Sequence, residues 1–153
     1  MKIALLWVGK TRNASLQGLI QDYWKRISHF CELTLREVPS IKSADQARLV
    51  TLEGEKLLSK VEASEFLVLL DPSGQGLTTE NFATFVAYHR EHPAKTVVFA
   101  LGGHAGFSAA VRRRADFAIS LSPLTFTHEM ARYLLVEQIY RAFTIIHHLP
   151  YHK

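Results

Sequence analysis

Short apolar runs alternate along this chain with segments whose apolar residues recur at helical spacing. Residues 2–8, 66–70, 96–101 and 117–121 are almost continuously apolar, and residues 33–38 alternate between apolar and polar positions. Runs of this length between turn residues are typical of strands. Continuous apolar strands are typical of a parallel sheet that helices cover on both faces. The pattern therefore predicts about five strands in one sheet.

The segments between the strands predict helices, because their apolar residues lie on one side at a period of 3.6. Ser, Thr and Asp residues before such segments are favourable N-caps. The predicted helices are 15–30, one opened by Ser43 with Gln46 completing a capping box, one capped by Thr78 or Thr79 and running to Arg90, 108–114, and one from Thr127 to His147. Strand and helix alternate from end to end, so a single α/β domain over residues 1–153 is predicted.

Composition narrows the class of protein without deciding it. Hydrophobic residues make up 48% and charged residues 21%, as in ordinary globular domains, and no apolar run reaches the ~18 residues of a membrane span. The first strand lacks a small-residue cleavage site, so we do not interpret it as a signal peptide. Cys31 is the only cysteine, which excludes an internal disulfide and fits a cytoplasmic location. The net charge of +4 is compatible with a nucleic-acid partner.

Three loops directly follow apolar strands and are rich in turn-forming residues. They are residues 71–76 (DPSGQG), 102–106 (GGHAG) and 122–127 (SPLTFT). Ligands of parallel α/β sheets bind beyond the carboxyl ends of the strands, where such loops meet. We therefore expect a ligand site there, with Asp71 hydrogen-bonded to a hydroxyl or capping its own turn.

The glycine loop 102–106 and the basic run 112–114 each have two interpretations. Gly-Gly-x-x-Gly resembles part of a dinucleotide fingerprint, but it follows a late strand, and no GK[ST] ending marks a P-loop. A ligand-binding loop and a plain strand-to-helix turn both remain open. The three arginines are either a solvated helix face or contacts to RNA phosphates.

The last helix and its tail carry the most unusual pattern. The helix is apolar nearly all round, which indicates burial on several sides and suggests a second subunit. Glu137 and Arg141 are spaced to form an ion pair. No metal is predicted, because no carboxylate or cysteine completes a ligand set with the histidines at 147, 148 and 152. Seven extended residues, 147–153, would reach about 23 Å, enough to cross a dimer interface.

These motifs together resemble the SPOUT methyltransferases, and in particular the ribosomal RNA large subunit methyltransferase H family. The resemblance covers the whole chain and is carried by an MKI-type first strand and by LLDPSG, GGHAG, ISLSPLTFTHEMAR, LLVEQIYRAF and a terminal PYHK. The chain departs from the family at Thr127 and at His104-Ala105, where prolines are more usual.

The resemblance implies a C-terminal trefoil knot over about residues 96–153, although knots are otherwise nearly absent from proteins. It implies a homodimer that binds S-adenosylmethionine and methylates N3 of a pseudouridine in 23S rRNA on the assembled ribosome. The implied cofactor contacts are Leu70, Gly102, Gly103, Pro123, Leu124, Thr125, Phe126, Thr127 and His128.

The imide N3 of the substrate is a poor nucleophile until it loses its proton, so a base or a cation that stabilises the resulting charge is needed. We expect Tyr151 and His152 from one subunit to meet the other subunit's cofactor, with His152 as the candidate base. Arg141 or Lys153 would stabilise negative charge, and Lys153 and Arg132 are expected to bind substrate.

Two other functions compete with this one. A nucleotide- or NAD-binding enzyme would use the glycine loop and would bind NAD but not S-adenosylmethionine. A non-catalytic ribosome-binding factor would bind ribosomes equally with and without cofactor and would transfer no methyl group.

Overall fold

A five-stranded parallel sheet forms the centre of the protein. The computed structural model describes residues 1–93 and 95–151. The elements in chain order are β1 Lys2–Val8, α1 Ala14–Ile27, β2 Glu32–Val38, α2 Gln46–Leu58, β3 Phe66–Gly76, α3 Thr79–Glu91, β4 Val97–Leu101, α4 Ala109–Arg114, β5 Phe117–Ser120 and α5 His128–Ile146. The strand order is β2-β1-β4-β3-β5, and every pairing is parallel. The predicted sheet and its five strands are confirmed.

Helices cover both faces of the sheet, as continuously apolar strands require. One core lies beneath α1, α3 and α5 and includes Ile3, Phe99 and Phe143. The other lies beneath α2 and α4 and includes Leu6 and Leu69. Neighbouring residues of a strand point to opposite faces, so each strand contributes to both cores.

Helix α5 is apolar on most sides because it lies between α1 and α3 on the sheet. Leu135, Val136, Ile139, Ala142 and Phe143 have no exposed surface within this one chain. Burial inside the subunit therefore explains most of the pattern that suggested a second subunit. Residues that remain exposed lie at the start of the helix and in the loop before it, namely Leu124, Phe126 and Met130.

The predicted caps Thr78, Ser108 and Thr127 are confirmed, because each hydroxyl accepts a hydrogen bond from a backbone N–H three residues on. The start predicted for α2 is wrong. Asp45 is the N-cap and accepts from the N–H of Arg48, while the Ser43 hydroxyl bonds to the backbone of Asp45 and forms a turn before the helix.

Two other predicted boundaries also shift. Helix α1 begins after Asn13, whose side chain caps it, and ends at Ile27 instead of Phe30. Strand β3 does not stop at Leu70 but continues to Gly76, with an irregularity in its pairing to β5 between Leu70 and Gln75. A Cβ at Gly74 would lie 2.7 Å from backbone atoms of Ala118 and Ile119, so the glycine allows the strands to approach. The expected turn residues thus form a bulge inside a strand.

An ion pair between Arg36 and Glu65 gives the fold an acid-sensitive element. The guanidinium donates to both carboxylate oxygens of Glu65 at 2.7 and 2.6 Å, and the N–H of Glu62 adds a third bond at 2.9 Å. These bonds lower the pKa of Glu65, and the bond from Arg36 contributes most. They outweigh burial, which by itself would raise the pKa. The contribution is fully present above the ordinary carboxyl pKa and is lost as the pH falls through the lowered one.

We expect Glu65→Gln to lower the free energy of unfolding by about 1–3 kcal/mol at pH 7. The difference from the parent protein should shrink as the pH falls below about 4, because the parent then loses the same interaction. Urea unfolding across this pH range measures it. Glu32→Gln is the control, since Glu32 forms only an exposed 3.5 Å pair with Lys2. A difference that is independent of pH would contradict the assignment.

Candidate functional site

A cavity of about 490 Å³ opens at the carboxyl ends of β3, β4 and β5. The glycine loop, the loop before α5 and residues 70–72 of β3 surround it, and all three lie in the segments that the sequence placed at this edge of the sheet. The walls include eight of the nine expected cofactor residues, Leu70, Gly102, Gly103, Leu124, Thr125, Phe126, Thr127 and His128. Pro123 does not line the cavity and is exposed in the loop. The volume lies within the usual range of small-molecule sites.

The glycine loop is both a tight turn and a wall of the cavity. Gly103 and Gly106 form an isolated antiparallel bridge, with the N–H of Gly106 donating to the Gly103 carbonyl at 3.1 Å. Gly106 has a φ of 77°, a conformation that glycine adopts without strain. A Cβ at Gly103 would lie 2.6 Å from Oε2 of Glu53 on α2, so a side chain here would require the buried Glu53 carboxylate or the loop to move.

Glu53 supports the glycine loop from beneath and was not anticipated from the sequence. It is 2% exposed, and its Oε1 accepts a 3.3 Å bond from the N–H of Ile41. Its Oε2 has no hydrogen-bond partner among the described residues. A glutamate on an amphipathic helix gives no signal that it will lie under a loop fifty residues later in the chain.

Asp71 places a fixed negative charge at the cavity wall. Its carboxylate accepts from the N–H and the hydroxyl of Ser73 at 2.9 and 2.6 Å and pairs with Arg112 at 2.7 Å. Burial alone would raise the pKa of Asp71, but the bonds from Ser73 and the charge of Arg112 outweigh it and lower the pKa. Of the two predicted roles, Asp71 caps its own turn, because its carboxylate accepts from both the N–H and the hydroxyl of Ser73, and the carboxylate stays ionised at neutral pH.

The basic run 112–114 is only partly a solvated face. Arg112 is committed to Asp71, and Arg114 pairs with Asp116 and donates to the carbonyls of Glu62 and Glu65. Arg113 is exposed. Two of the three cations therefore hold α4 against neighbouring elements.

The loop before α5 is shaped by hydroxyl groups. The N–H of Leu124 donates to the Ser122 hydroxyl at 2.9 Å, and the Ser120 hydroxyl donates to the Ser122 carbonyl at 3.1 Å. Ser120 and Ala131 also line the cavity and were missed. The available signal for Ala131 was its position one helical turn after His128, on the same side of the helix.

Arg132 lies buried under the site, and its expected contact with substrate stays a prediction. It is 1% exposed and donates to the Val8 carbonyl at 2.6 Å and to the Thr11 hydroxyl at 2.9 Å. Its guanidinium carbon lies 5.0 Å from the centre of the Trp7 ring. Arg132 thus fixes the start of α5 to the end of β1.

The chain end does not extend away from α5 as expected. Residues 147–151 turn back, with the N–H of Leu149 donating to the Thr144 carbonyl and that of Tyr151 to the Leu149 carbonyl, both at 2.8 Å. The estimated reach of an extended tail is therefore wrong for these residues. His152 and Lys153 lie outside the described residues, and their expected roles stay predictions.

Tyr151 and Arg141 meet at Glu137. The predicted Glu137–Arg141 pair forms at 2.6 Å, and the Tyr151 hydroxyl donates to the same carboxylate oxygen at 3.0 Å. Tyr151 also shares a 2.9 Å hydroxyl bond with Tyr23, and Arg141 lies 4.8 Å over its ring. Burial and these bonds raise the pKa of Tyr151, which keeps its hydroxyl protonated at neutral pH.

Among residues 1–93 and 95–151 the structure shows neither a membrane-spanning helix nor a metal-binding cluster. None of its helices combines the length and the apolar character that crossing a bilayer requires. No three His, Cys, Asp or Glu side chains among residues 1–93 and 95–151 are grouped so that they could hold a metal ion.

A cavity between glycine-rich and hydroxyl-rich loops at the carboxyl edge of a parallel sheet is typical of ligand-binding α/β proteins. The family model described as "Predicted SPOUT methyltransferase" matches residues 1–152, and the chain belongs to this methyltransferase family. Proteins named ribosomal RNA large subunit methyltransferase H are similar to it from end to end. Those of Flavobacterium johnsoniae, Trichlorobacter lovleyi and Geobacter metallireducens are 40%, 41% and 43% identical, each over 99% of both chains.

Proposed function

We propose that the protein uses S-adenosylmethionine to methylate N3 of a pseudouridine in 23S rRNA on the assembled ribosome. The observation that carries the proposal is the cavity at the carboxyl ends of β3, β4 and β5, which brings eight of the expected cofactor residues together. The names of the relatives support ribosomal RNA of the large subunit as the substrate. We also propose a cytoplasmic location, where ribosomes would be met.

The residues of the cavity fit a cationic, partly apolar cofactor. Leu70, Leu101 and Phe107 supply apolar wall, and the Asp71 carboxylate, whose charge is partly offset by Arg112, lies in the same wall. The bridge between Gly103 and Gly106 presents main chain at the cavity wall. S-adenosylmethionine, when bound, supplies an electrophilic methyl group that needs no activation, so the protein's task is to orient it and the base.

The substrate nitrogen must lose a proton before it can attack. Tyr151 is a poor base because its pKa is raised and its hydroxyl already donates to Glu137. The Arg141 charge is partly offset by the same carboxylate. We therefore propose that Tyr151 and Arg141 fix the chain end, and that His152 takes the proton while Lys153 stabilises negative charge.

We further propose a homodimer with a C-terminal trefoil knot, as the family resemblance implies. Leu124, at 73% exposed, and Phe126 and Met130 place apolar surface beside the cavity, and such surface favours a partner. Sedimentation should give twice the 17.3 kDa mass of the chain at assay concentrations. A stable and active monomer under those conditions would overturn the dimer.

The decisive experiment incubates the protein with radiolabelled S-adenosylmethionine and ribosomes that lack the modification, and then maps the label. We expect one labelled pseudouridine in 23S rRNA and little label in a short naked hairpin. Efficient methylation of the hairpin would contradict the need for the assembled ribosome. Tight NAD binding without S-adenosylmethionine binding, or ribosome binding without transfer, would support one of the two competing functions instead.

A further inference from the structure

A second cavity, of about 480 Å³, opens at the carboxyl ends of β1 and β2. Trp7 and Glu37, which face each other in the parallel register of these strands, form part of its wall. Trp24 of α1 and Lys10 of the loop after β1 also line this cavity. None of these residues belongs to the cofactor cavity.

Glu37 gives this cavity a hydrogen-bond acceptor in an aromatic setting. The indole N–H of Trp7 donates to Oε1 of Glu37 at 3.2 Å and fixes the carboxylate. Oε2 accepts no hydrogen bond from residues 1–93 and 95–151, so it is available to a donor on a ligand. Trp7 is 2% exposed and lies under the Arg132 guanidinium, so the half-buried Trp24 is the ring on which a base can stack. Glutamate accepts hydrogen bonds from base amino groups. Lys10 supplies a cation at the cavity for a phosphate.

The two cavities lie at the same edge of the sheet, and hydrogen bonds connect residues at or next to each of them. All five strands are parallel, so all their carboxyl ends meet there, and β1 and β3 are two strand spacings, roughly 10 Å, apart. Thr11 lines the second cavity and holds the Arg132 guanidinium. The N–H groups of Arg12 and Asn13 donate to Glu129, the neighbour of the cofactor-cavity residue His128.

We propose that this second cavity binds an unpaired, amino-bearing base of the substrate RNA, near the nucleotide that is methylated. Guanine suits it best, because its N1–H and amino group both point toward an acceptor on the Watson–Crick edge. Uracil presents one N–H between two carbonyl oxygens, which a carboxylate repels. The inference rests on the proposed function, since it assigns the base to the same RNA.

The two tryptophans of the chain both line this cavity, so intrinsic fluorescence reports on it selectively. We expect saturable quenching by GMP, with excitation at the red edge of the indole band, and much weaker quenching by UMP. Glu37→Gln replaces one carboxylate oxygen, a hydrogen-bond acceptor, with an amide NH2 group, which is a donor. This substitution should weaken GMP binding roughly tenfold. Glu32→Gln, on the same strand, is the matched control and should bind GMP like the parent.

No saturable quenching by GMP, equal quenching by UMP, or an unchanged GMP affinity in Glu37→Gln would each overturn the inference. A methylation assay on ribosomes distinguishes failure of the base-subsite proposal from failure of the proposed function. If Glu37→Gln raises the KM for ribosomes but leaves the affinity for S-adenosylmethionine unchanged, the base subsite is supported. If ribosomes are methylated normally by that variant, the subsite is rejected while the proposed function stands.

Discussion

Deletion of residues 150–153 is expected to reduce the rate of methyl transfer by roughly 10²–10⁴-fold while leaving cofactor affinity nearly unchanged. The deletion removes the proposed base His152 and the cation Lys153, together with the Tyr151 anchor. No described residue beyond Ala131 lines the cofactor cavity, so the cofactor should still bind. Single-turnover transfer from labelled cofactor to ribosomes measures the rate, and calorimetry measures cofactor affinity.

Smaller changes separate anchoring from chemistry at the chain end. Deleting only residues 152–153 should cost almost as much activity as the longer deletion. Tyr151→Phe keeps the ring on Tyr140 and Arg141 but loses the bonds to Tyr23 and Glu137, so its loss should be modest. Tyr88→Phe, on an exposed tyrosine of α3, is the control. Full activity in the deletion of 150–153 would reject a role for the chain end.

Replacement of Gly103 by alanine is expected to weaken cofactor binding by roughly tenfold or more, about 1.4 kcal/mol. The new Cβ would lie 2.6 Å from Oε2 of Glu53. Glu53 cannot move away freely, because it is buried and its other oxygen is bonded to Ile41. The loop must therefore shift toward the cavity and reduce the space for the cofactor. Calorimetric titration with S-adenosylmethionine measures the loss.

A second substitution tests whether the collision with Glu53 is the cause. Glu53→Ala in the Gly103→Ala background removes the obstructing oxygen and should restore part of the affinity. Gly76→Ala is the control, because a Cβ there meets no atom within 4 Å. Circular dichroism and thermal unfolding should show that both single variants fold. Unchanged affinity in Gly103→Ala would mean that the cofactor does not depend on this loop.

The local signals in the sequence predicted local structure well. Thr78, Ser108 and Thr127 cap helices as expected, because a cap depends only on a side chain and the backbone three residues on. Two of the three predicted loops, 102–106 and 122–127, meet at the first cavity as expected, because strand ends and glycines are also local features, whereas residues 71–76 continue strand β3. The failure at Ser43 arose because two neighbouring side chains, Ser43 and Asp45, competed for the same role, and Asp45 reached the N–H of Arg48.

The sequence by itself determined the α/β class, the strand and helix order, the loops of the cofactor cavity and the resemblance that the comparisons confirmed. Only the tertiary structure decided which distant residues meet. Strand order pairs Trp7 with Glu37, thirty residues apart, and brings Glu53 beneath Gly103. The packing of α5 buries Arg132 and folds Tyr151 back onto Glu137. Hydrophobic periodicity reports which face of an element is buried, but not what lies opposite it, because that depends on contacts between segments far apart in the chain.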